Sequence, residues 1–375
     1  MSGKKYCIVA ALLVCVCQVL ACDNRKTPAV SSGAAEADLV KSNVEVSPVS
    51  PPAVSTDKPA AAEPQTPTPD PAEKEVAAAS APAPTPPEEP PAEPAVALEG
   101  MHVGYPAWDS TPYGYFLYFV PSQEPPKGII VAVHGGIPKG GDGLAWAKGC
   151  IDGFAETAQR QNFVLVAPAF NDPDYGGYGG PFGGYRGLLG RVVSADTFLN
   201  SCVDRILATF PELDGKFYLY GDGCGGAFVS RYIVKHPDRV RGAVVCRSDT
   251  YAFPFPDVPW TNGMGRLQHM IRWSDDAPYT MMDYTPNPQG WLKASQLPIA
   301  VVVGALDTKP IKTIEGEPGL NRVERARNYV REMNDYAQKQ GVQGKVRLVE
   351  VKGVGFSYLD LLPASILALF KQDSP

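Results

Sequence analysis

The residues of this chain that could do chemistry gather at the ends of short apolar runs. One glycine-rich turn, Tyr220-Gly221-Asp222-Gly223-Cys224-Gly225-Gly226, follows the apolar residues 217–220 and precedes a helical pattern. In such a strand–turn–helix, the flanking glycines allow close packing and the central side chain stands free at the sheet edge. The central residue here is Gly223, which has no side chain. Its neighbour Cys224 carries a thiol, which is a nucleophile when ionised.

Three further strand ends carry polar groups or glycines. Val133-His134-Gly135-Gly136 offers backbone N–H groups of the kind that stabilise a developing oxyanion. Asp307 follows the apolar run 299–303 and is either a catalytic carboxylate or a turn-capping residue. Phe356 occupies the fourth strand end, in a loop that follows Val351, and its ring can transfer no proton.

The elements that would position these residues alternate along the chain. Apolar runs predict strands, and a spacing of three or four residues predicts helices. The alternation predicts one α/β domain over residues 100–375 with a mostly parallel sheet, whose sites lie at the carboxyl ends of the strands. Strands are predicted at 115–120, 128–133, 163–167, 217–220, 242–245, 298–303 and 346–351, and helices at 145–161, 195–210, 226–235, 321–338 and 363–371.

The glycine turn and its context resemble the α/β-hydrolase superfamily, in particular secreted esterases and polyhydroxybutyrate-depolymerase-like proteins. The resemblance spans most of residues 100–375 and includes the segments 229–245 and 321–326. It implies a mostly parallel sheet flanked by helices. It also implies that Gly223 stands at the nucleophile position, Asp307 at the acid position and Phe356 at the position of the general base. The oxyanion-like loop would then comprise Gly135, Gly136 and Cys224.

Two of these three catalytic positions hold residues that cannot do the family's chemistry. Losing the serine or the histidine of such a triad lowers kcat on the order of 10⁶-fold, and losing both costs little more. The sequence therefore favours a catalytically inactive domain that binds a small-molecule or protein ligand. Two alternatives stay open. The first is an active esterase with Cys224 as nucleophile, for which no histidine of the chain matches the base position, and the second is a structural head on a spacer.

Two loops at the predicted site are rich in aromatic residues and glycine. The first runs from Tyr175 to Tyr185, and the second contains Trp260. Such loops build the substrate pocket in the resembling family. The sequence leaves two interpretations with equal weight, a ligand-binding surface and a cover packed over an inactive turn.

The first 22 residues are typical of a bacterial lipoprotein leader. Lys4 and Lys5 precede an apolar run of about 14 residues, 8–21, which is too short to span a bilayer. The sequence Val19-Leu20-Ala21-Cys22 resembles a lipobox. We therefore expect a signal peptide at 1–21, lipidation of Cys22, and an acyl anchor that holds the protein to a lipid membrane on the extracytoplasmic side of the bacterial envelope.

Residues 22–99 form a Pro-, Ala- and Glu-rich segment that we expect to be a disordered tether. Residues 23–99 contain no aromatic residue and hold 13 acidic against 5 basic residues. Such a composition buries too little apolar area to offset the entropy of ordering the chain. The segment therefore carries a net charge of −8, and Lys4 and Lys5 of the leader bring the whole chain to −6. The nearly neutral remainder shows no basic face for nucleic acid.

The cysteines of the predicted domain are Cys150, Cys202, Cys224 and Cys246. In an oxidising compartment they allow three pairings. Cys246 ends the strand expected beside the glycine turn, so a Cys224–Cys246 disulfide is a candidate. The Cys and His residues show no metal-ligand spacing, and no cofactor is implied.

Overall fold

A computed structural model of the chain describes residues 96–123, 125–176, 183–272, 279–314 and 316–371. The strands are β1 (Pro106–Thr111), β2 (Gly114–Phe119), β3 (Gly128–Val133), β4 (Phe163–Pro168), β5 (Phe217–Asp222), β6 (Val240–Cys246), β7 (Leu267–Arg272), β8 (Tyr279–Tyr284), β9 (Ile299–Gly304) and β10 (Val346–Val351). The helices are α1 (Gly143–Gln161), α2 (Asp172–Tyr175), α3 (Ala195–Thr209), α4 (Cys224–Lys235), α5 (Pro288–Ser295), α6 (Arg322–Lys339) and α7 (Tyr358–Phe370).

Eight of the strands form one sheet in the order β1-β2-β4-β3-β5-β6-β9-β10. β2 runs antiparallel to both of its neighbours, β1 and β4. The other six strands, β4, β3, β5, β6, β9 and β10, run parallel to one another. The predicted α/β fold with a mostly parallel sheet is confirmed. Parallel strands place their carboxyl ends at one edge, so the ends of β3, β5, β9 and β10 meet where a site is expected.

The central strands are buried along their whole length because both faces of the sheet are covered. β3, β5 and β9 are buried at every residue. Helices α1 and α7 pack on one face, with Phe154 and Leu361 in its core. Helices α3, α4 and α6 pack on the other, with Phe198, Phe228 and Tyr329. This two-sided burial is typical of parallel sheets with helical crossovers.

Several elements escaped the sequence prediction. The edge strand β1, the β7–β8 hairpin and helix α5 were not expected, and α7 begins at Tyr358 rather than at Pro363. The Ser357 side chain caps α7 by accepting a hydrogen bond from the Asp360 N–H, so the helix continues through Pro363. Packing of the apolar helix on the sheet overrides the tendency of proline to start or stop a helix.

The N-terminal predictions lie mostly outside the described residues. The leader, Cys22 and the tether up to residue 95 are in this group. The first contacts of the described chain come at Ala97, whose carbonyl accepts from Arg205, and at Leu98, whose N–H donates to the Thr209 hydroxyl. No helix within the described ranges is both long enough and apolar enough to cross a membrane.

Candidate functional site

The glycine turn between β5 and α4 has the geometry of a nucleophile elbow without a side chain at its centre. Gly223 lies at φ 53° and ψ −109°, and its N–H donates to the Cys246 carbonyl at 3.0 Å. A Cβ added at Gly223 would meet no atom within 4 Å. The turn therefore keeps the strained backbone and the open space in which a nucleophile would stand.

The flanking glycines are required by close packing. A Cβ on Gly221 would lie 2.1 Å from the Gly225 carbonyl oxygen, and one on Gly225 would lie 2.3 Å from the Val133 carbonyl oxygen. Helix α4 thus begins in direct backbone contact with the ends of β3 and β5. The small residues at these positions fix where the turn points.

Phe356 lies after β10, as predicted, but it does not fill a buried hole. Its side chain is 52% exposed, and two guanidinium groups contact the ring. The guanidinium carbon of Arg247 is 4.1 Å from the ring centroid, and that of Arg322 is 4.2 Å away. Both distances fit cation–π contacts, which add about 0.5–1 kcal/mol each at exposed sites.

Each of these arginines also pairs with a carboxylate. Arg247 makes a bidentate pair with Asp222, with Nη2 and Oδ2 2.6 Å apart, and both side chains are largely buried. Arg247 adopts the left-handed region at φ 37°, and its N–H donates to the Val302 carbonyl at 2.8 Å. Because a non-glycine residue in this region is strained, the ion pair and the ring contact must hold it there.

Asp307 stands at the end of β9, where the sequence placed the acid. It is only 3% exposed, and Arg322 Nη1 lies 3.5 Å from its Oδ1. Its Oδ2 has no hydrogen-bond partner among the described residues. Arg322 therefore contacts both Asp307 and Phe356, the residues at the acid and base positions. We call the series Asp222, Arg247, Phe356, Arg322, Asp307 the arginine–phenylalanine ladder.

His134 has a structural role at the predicted oxyanion-like loop, because its hydrogen bonds hold the backbone there. His134 is buried, and its Nε2 accepts the N–H of Phe170 at 3.2 Å while Nδ1 lies 2.7 Å from the Gly135 carbonyl oxygen. Nδ1 must therefore carry the proton. Burial lowers the pKa of His134 to about 4, although the hydrogen bond to Gly135 opposes this. The Tyr185 hydroxyl donates to the same carbonyl at 2.8 Å, so the backbone of Gly135 is fixed.

Cys224, the alternative nucleophile, begins α4 and is partly buried. Burial raises the pKa of its thiol, while the charge and hydrogen bond of Arg186 oppose the rise. A raised pKa leaves little thiolate at neutral pH. Burial therefore disfavours the thiolate form of Cys224, and Arg186 favours it.

The histidines are engaged elsewhere. His102 bonds to the Tyr105 hydroxyl at 2.7 Å, and His236 bonds to Asp196 at 2.6 Å. His134 is held as described above, and His269 lies on β7, in the separate two-stranded sheet. None of the hydrogen bonds described for His102, His134 and His236 reaches Cys224.

The candidate Cys224–Cys246 disulfide is not formed, because the two side chains lie on opposite faces of the sheet. Cys246 belongs to the core beneath α1 and α7, whereas Cys224 packs against the core beneath α4. All four cysteines of the described domain are free thiols. Burial raises the pKa of Cys246 to about 12. Adjacency of the two strands was therefore not enough to pair the cysteines.

The aromatic loops contribute to the core where they are described. Tyr175 and Tyr185 are buried, and Tyr185 stacks on Phe170 with centroids 4.8 Å apart. Trp260 is buried beside Trp291. These side chains support the packing interpretation. Residues 177–182 of the first loop lie outside the described residues.

A buried charged cluster lies behind the turn, between α4 and α6. Arg231 donates to the Ala227 carbonyl and to Thr250, and its Nε has no partner among the described residues. Glu317 accepts the Tyr251 N–H and lies 3.6 Å from Arg325. Burial raises the pKa of Glu317 to about 7, although Arg231 and Arg325 oppose the rise.

The structure places Gly223, Asp307 and Phe356 at the strand ends that the sequence indicated, and it adds Arg247 and Arg322, which the sequence analysis did not single out. Arg247 directly follows β6, and Arg322 begins α6. The position of Arg247 directly after β6, a strand that ends at the edge carrying the site, could have identified it from the sequence. No group of three or more His, Cys, Asp or Glu residues in the described part of the chain could hold a metal ion.

Comparisons with known structures agree with this architecture. The chain is similar to the poly(3-hydroxybutyrate) depolymerase LpqC from Bordetella parapertussis, with a TM-score of 0.54 and 19% identity, covering 70% of this chain and 85% of that one. It is also similar to poly(aspartic acid) hydrolase-1 from Sphingomonas sp. KT-1, with a TM-score of 0.53 and 16% identity, covering 67% and 91%. No family model and no curated protein sequence matches the chain. At such low identity these likenesses establish the fold, which is the α/β-hydrolase fold.

Proposed function

We propose that this chain is an envelope lipoprotein whose α/β-hydrolase-fold domain is catalytically inactive and binds a ligand or partner. The arginine–phenylalanine ladder is the observation that carries the proposal. In an active member of this fold, the acid orients a histidine that activates a nucleophile. Here Arg322 neutralises Asp307 and contacts the ring of Phe356, while Gly223 offers no attacking atom.

The arginine–phenylalanine ladder also stabilises this edge of the domain through ion pairs and ring contacts. Its two ion pairs balance the charges of Asp222 and Asp307, and both arginines contact the ring of Phe356. The open space at Gly223 remains available to a ligand.

A serine-hydrolase fluorophosphonate probe tests the absence of activity. The purified wild-type protein should show no labelling and no turnover of p-nitrophenyl acyl esters. The Cys224 alternative predicts ester turnover that disappears in Cys224→Ala, with Cys202→Ala as a control because that thiol is fully buried. Turnover lost in Cys224→Ala and retained in Cys202→Ala would overturn the proposal.

Binding is tested with oligomers of 3-hydroxybutyrate, the probe suggested by the name of one structural relative. Calorimetric titration should show binding to the wild-type protein with no release of monomer. Gly223→Leu fills the open space and should abolish binding, whereas Gly355→Leu, which also meets open space, should not. Heat that is identical in the wild type and both variants would exclude the crevice as the binding site.

Anchoring at Cys22 is a separate part of the proposal. Its support is the sequence Val19-Leu20-Ala21-Cys22 after the apolar run. Metabolic labelling with palmitate should mark the wild-type protein in a bacterial host and leave Cys22→Ser unmarked. A membrane fraction that retains Cys22→Ser in full would contradict an acyl anchor.

A further inference from the structure

An exposed aromatic groove lies at the antiparallel edge of the main sheet, on the face that carries α1. It encloses about 410 Å³ and is lined by Trp108, Tyr115, Leu117, Leu144, Ala145 and Lys148. Trp108 is 66% exposed and Tyr115 is 51% exposed. Their ring centroids are 5.6 Å apart and the rings cross at 75°, so the two rings are in edge-to-face contact and form one aromatic corner of the groove.

The groove is almost entirely apolar. Its one charged lining residue, Lys148, is already paired with Asp152 at 2.6 Å. Two adjacent exposed aromatic side chains in an apolar hollow offer a surface for docking. An occupant of this groove would be recognised by apolar contact rather than by charge.

A second hollow leads from the start of the described chain to this groove. It encloses about 570 Å³ and is lined by Glu99, His102, Tyr105 and residues 106–110 of β1. Trp108 lines both hollows. β1 is the terminal strand of the sheet, so this hollow runs along its outer edge. Glu99, near the start of the described chain, therefore lines a depression that shares Trp108 with the aromatic groove.

Residues 81–95, which directly precede the described chain, have a proline-rich composition that suits binding to an aromatic groove. Residues 81–95 contain seven prolines, three glutamates and no lysine or arginine. Pro84, Pro87 and Pro90 are spaced three apart. Polyproline II has three residues per turn, so these prolines would share one edge of the helix. Segments with proline at every third position dock in grooves lined by aromatic side chains.

We propose that residues 81–95 occupy the aromatic groove of their own chain, with Pro84, Pro87 and Pro90 against Trp108 and Tyr115. Leu98 is fixed by its hydrogen bond to Thr209. From Glu99 back to Pro90 an extended proline-rich chain spans about 28 Å. Strand β1 is about 20 Å long. The segment therefore reaches the groove along the outer hollow.

Docking within the same chain does not require high intrinsic affinity. A short connection gives an effective concentration in the millimolar range. A docked segment of 15 residues would shorten the spacer by about 45 Å, at about 3.1 Å per residue. It would also cover the open edge of β1, which otherwise offers unpaired backbone groups to other chains. This inference does not depend on the proposed function.

Photo-crosslinking of the full chain tests the proposal. With p-benzoylphenylalanine in place of Tyr115, irradiation should join this position to residues 81–95, as identified by mass spectrometry. Mixing ¹⁵N-labelled and unlabelled protein distinguishes crosslinks within one chain from those between two copies. The yield should be the same in 50 mM and 500 mM NaCl, because the groove is apolar.

Matched variants make the result specific. Replacing Pro84, Pro87 and Pro90 together by serine should lower the crosslink yield at least fivefold. Replacing Pro67, Pro69 and Pro71 in the same way should leave it unchanged. Crosslinks only between labelled and unlabelled chains, crosslinks to another segment, or none at all would each overturn the proposal.

Discussion

Substitution of Gly223 by serine tests whether the glycine turn is strained. Gly223 has φ 53° and ψ −109°, a conformation that residues with a Cβ adopt at a cost of about 1–3 kcal/mol. A Cβ at this position meets no atom within 4 Å, so no steric clash adds to the cost. Replacing glycine also removes conformational freedom from the unfolded chain, which offsets about 0.4–1 kcal/mol. The two ranges together give a net destabilisation of about 0–2.6 kcal/mol, and we take the middle of that range, about 1–2 kcal/mol, as the expected value.

Thermal and urea unfolding of Gly223→Ser measure this effect. For a domain of this size, 1 kcal/mol corresponds to about 2–4 °C in Tm, so we expect Tm to fall by about 2–8 °C. Gly355→Ser is the matched control. It lies beside Phe356, a Cβ there also meets open space, and its φ is outside the left-handed region. That variant should keep or slightly raise the Tm.

The comparison of the two variants decides the argument. If Gly223→Ser unfolds at the same temperature as the wild type or above it, the turn is not strained and glycine was not favoured there by stability. A loss of equal size in both variants would show that serine itself, rather than the backbone conformation, is responsible. Either result refutes the reasoning from φ and ψ.

Two further predictions follow from the buried groups and the ladder. Between pH 4.5 and 7 the folded protein keeps a proton on Glu317 that the unfolded chain has released, so this group lowers stability as pH rises. His134 has the opposite effect between pH 4 and 6.5. In that range its imidazole is protonated in the unfolded chain but not in the folded protein, so this group raises stability as pH rises. Between pH 4.5 and 7, the free energy of unfolding measured in urea should therefore rise by about 3 kcal/mol in Glu317→Gln relative to the wild type. An identical dependence of this free energy on pH in both proteins would contradict the assignment. The double variant Gly223→Ser with Phe356→His should show little esterase activity, because Arg322 remains paired with Asp307. Adding Arg322→Ala should raise kcat/KM for p-nitrophenyl esters at least tenfold. If the third substitution brings no gain, Arg322 does not block Asp307.

Much of the fold followed from the sequence because the central strands are apolar throughout. The runs at 128–133 and 298–303 are buried on both faces, and no other element gives so strong a pattern. β1 escaped because it lies at the edge and alternates exposed and half-buried residues. The β7–β8 hairpin escaped because it pairs outside the main sheet, where no core imposes a strict alternation.

The site positions could be predicted, but the interactions between them could not. The register of the glycine turn placed Gly223, and strand ends placed Asp307 and Phe356. That Arg247 and Arg322 contact the same ring depends on how β6 and α6 approach β10 in space. Pairings across different elements leave no local periodicity in the sequence.

The distribution of thiols gives the domain a practical property. Cys150, Cys202 and Cys246 are buried, and Cys224 is the half-exposed member of the four described cysteines. A maleimide dye should therefore attach at one defined point, adjacent to Gly223. The folded domain thus provides a natural attachment point for a fluorescent reporter beside the open space at Gly223.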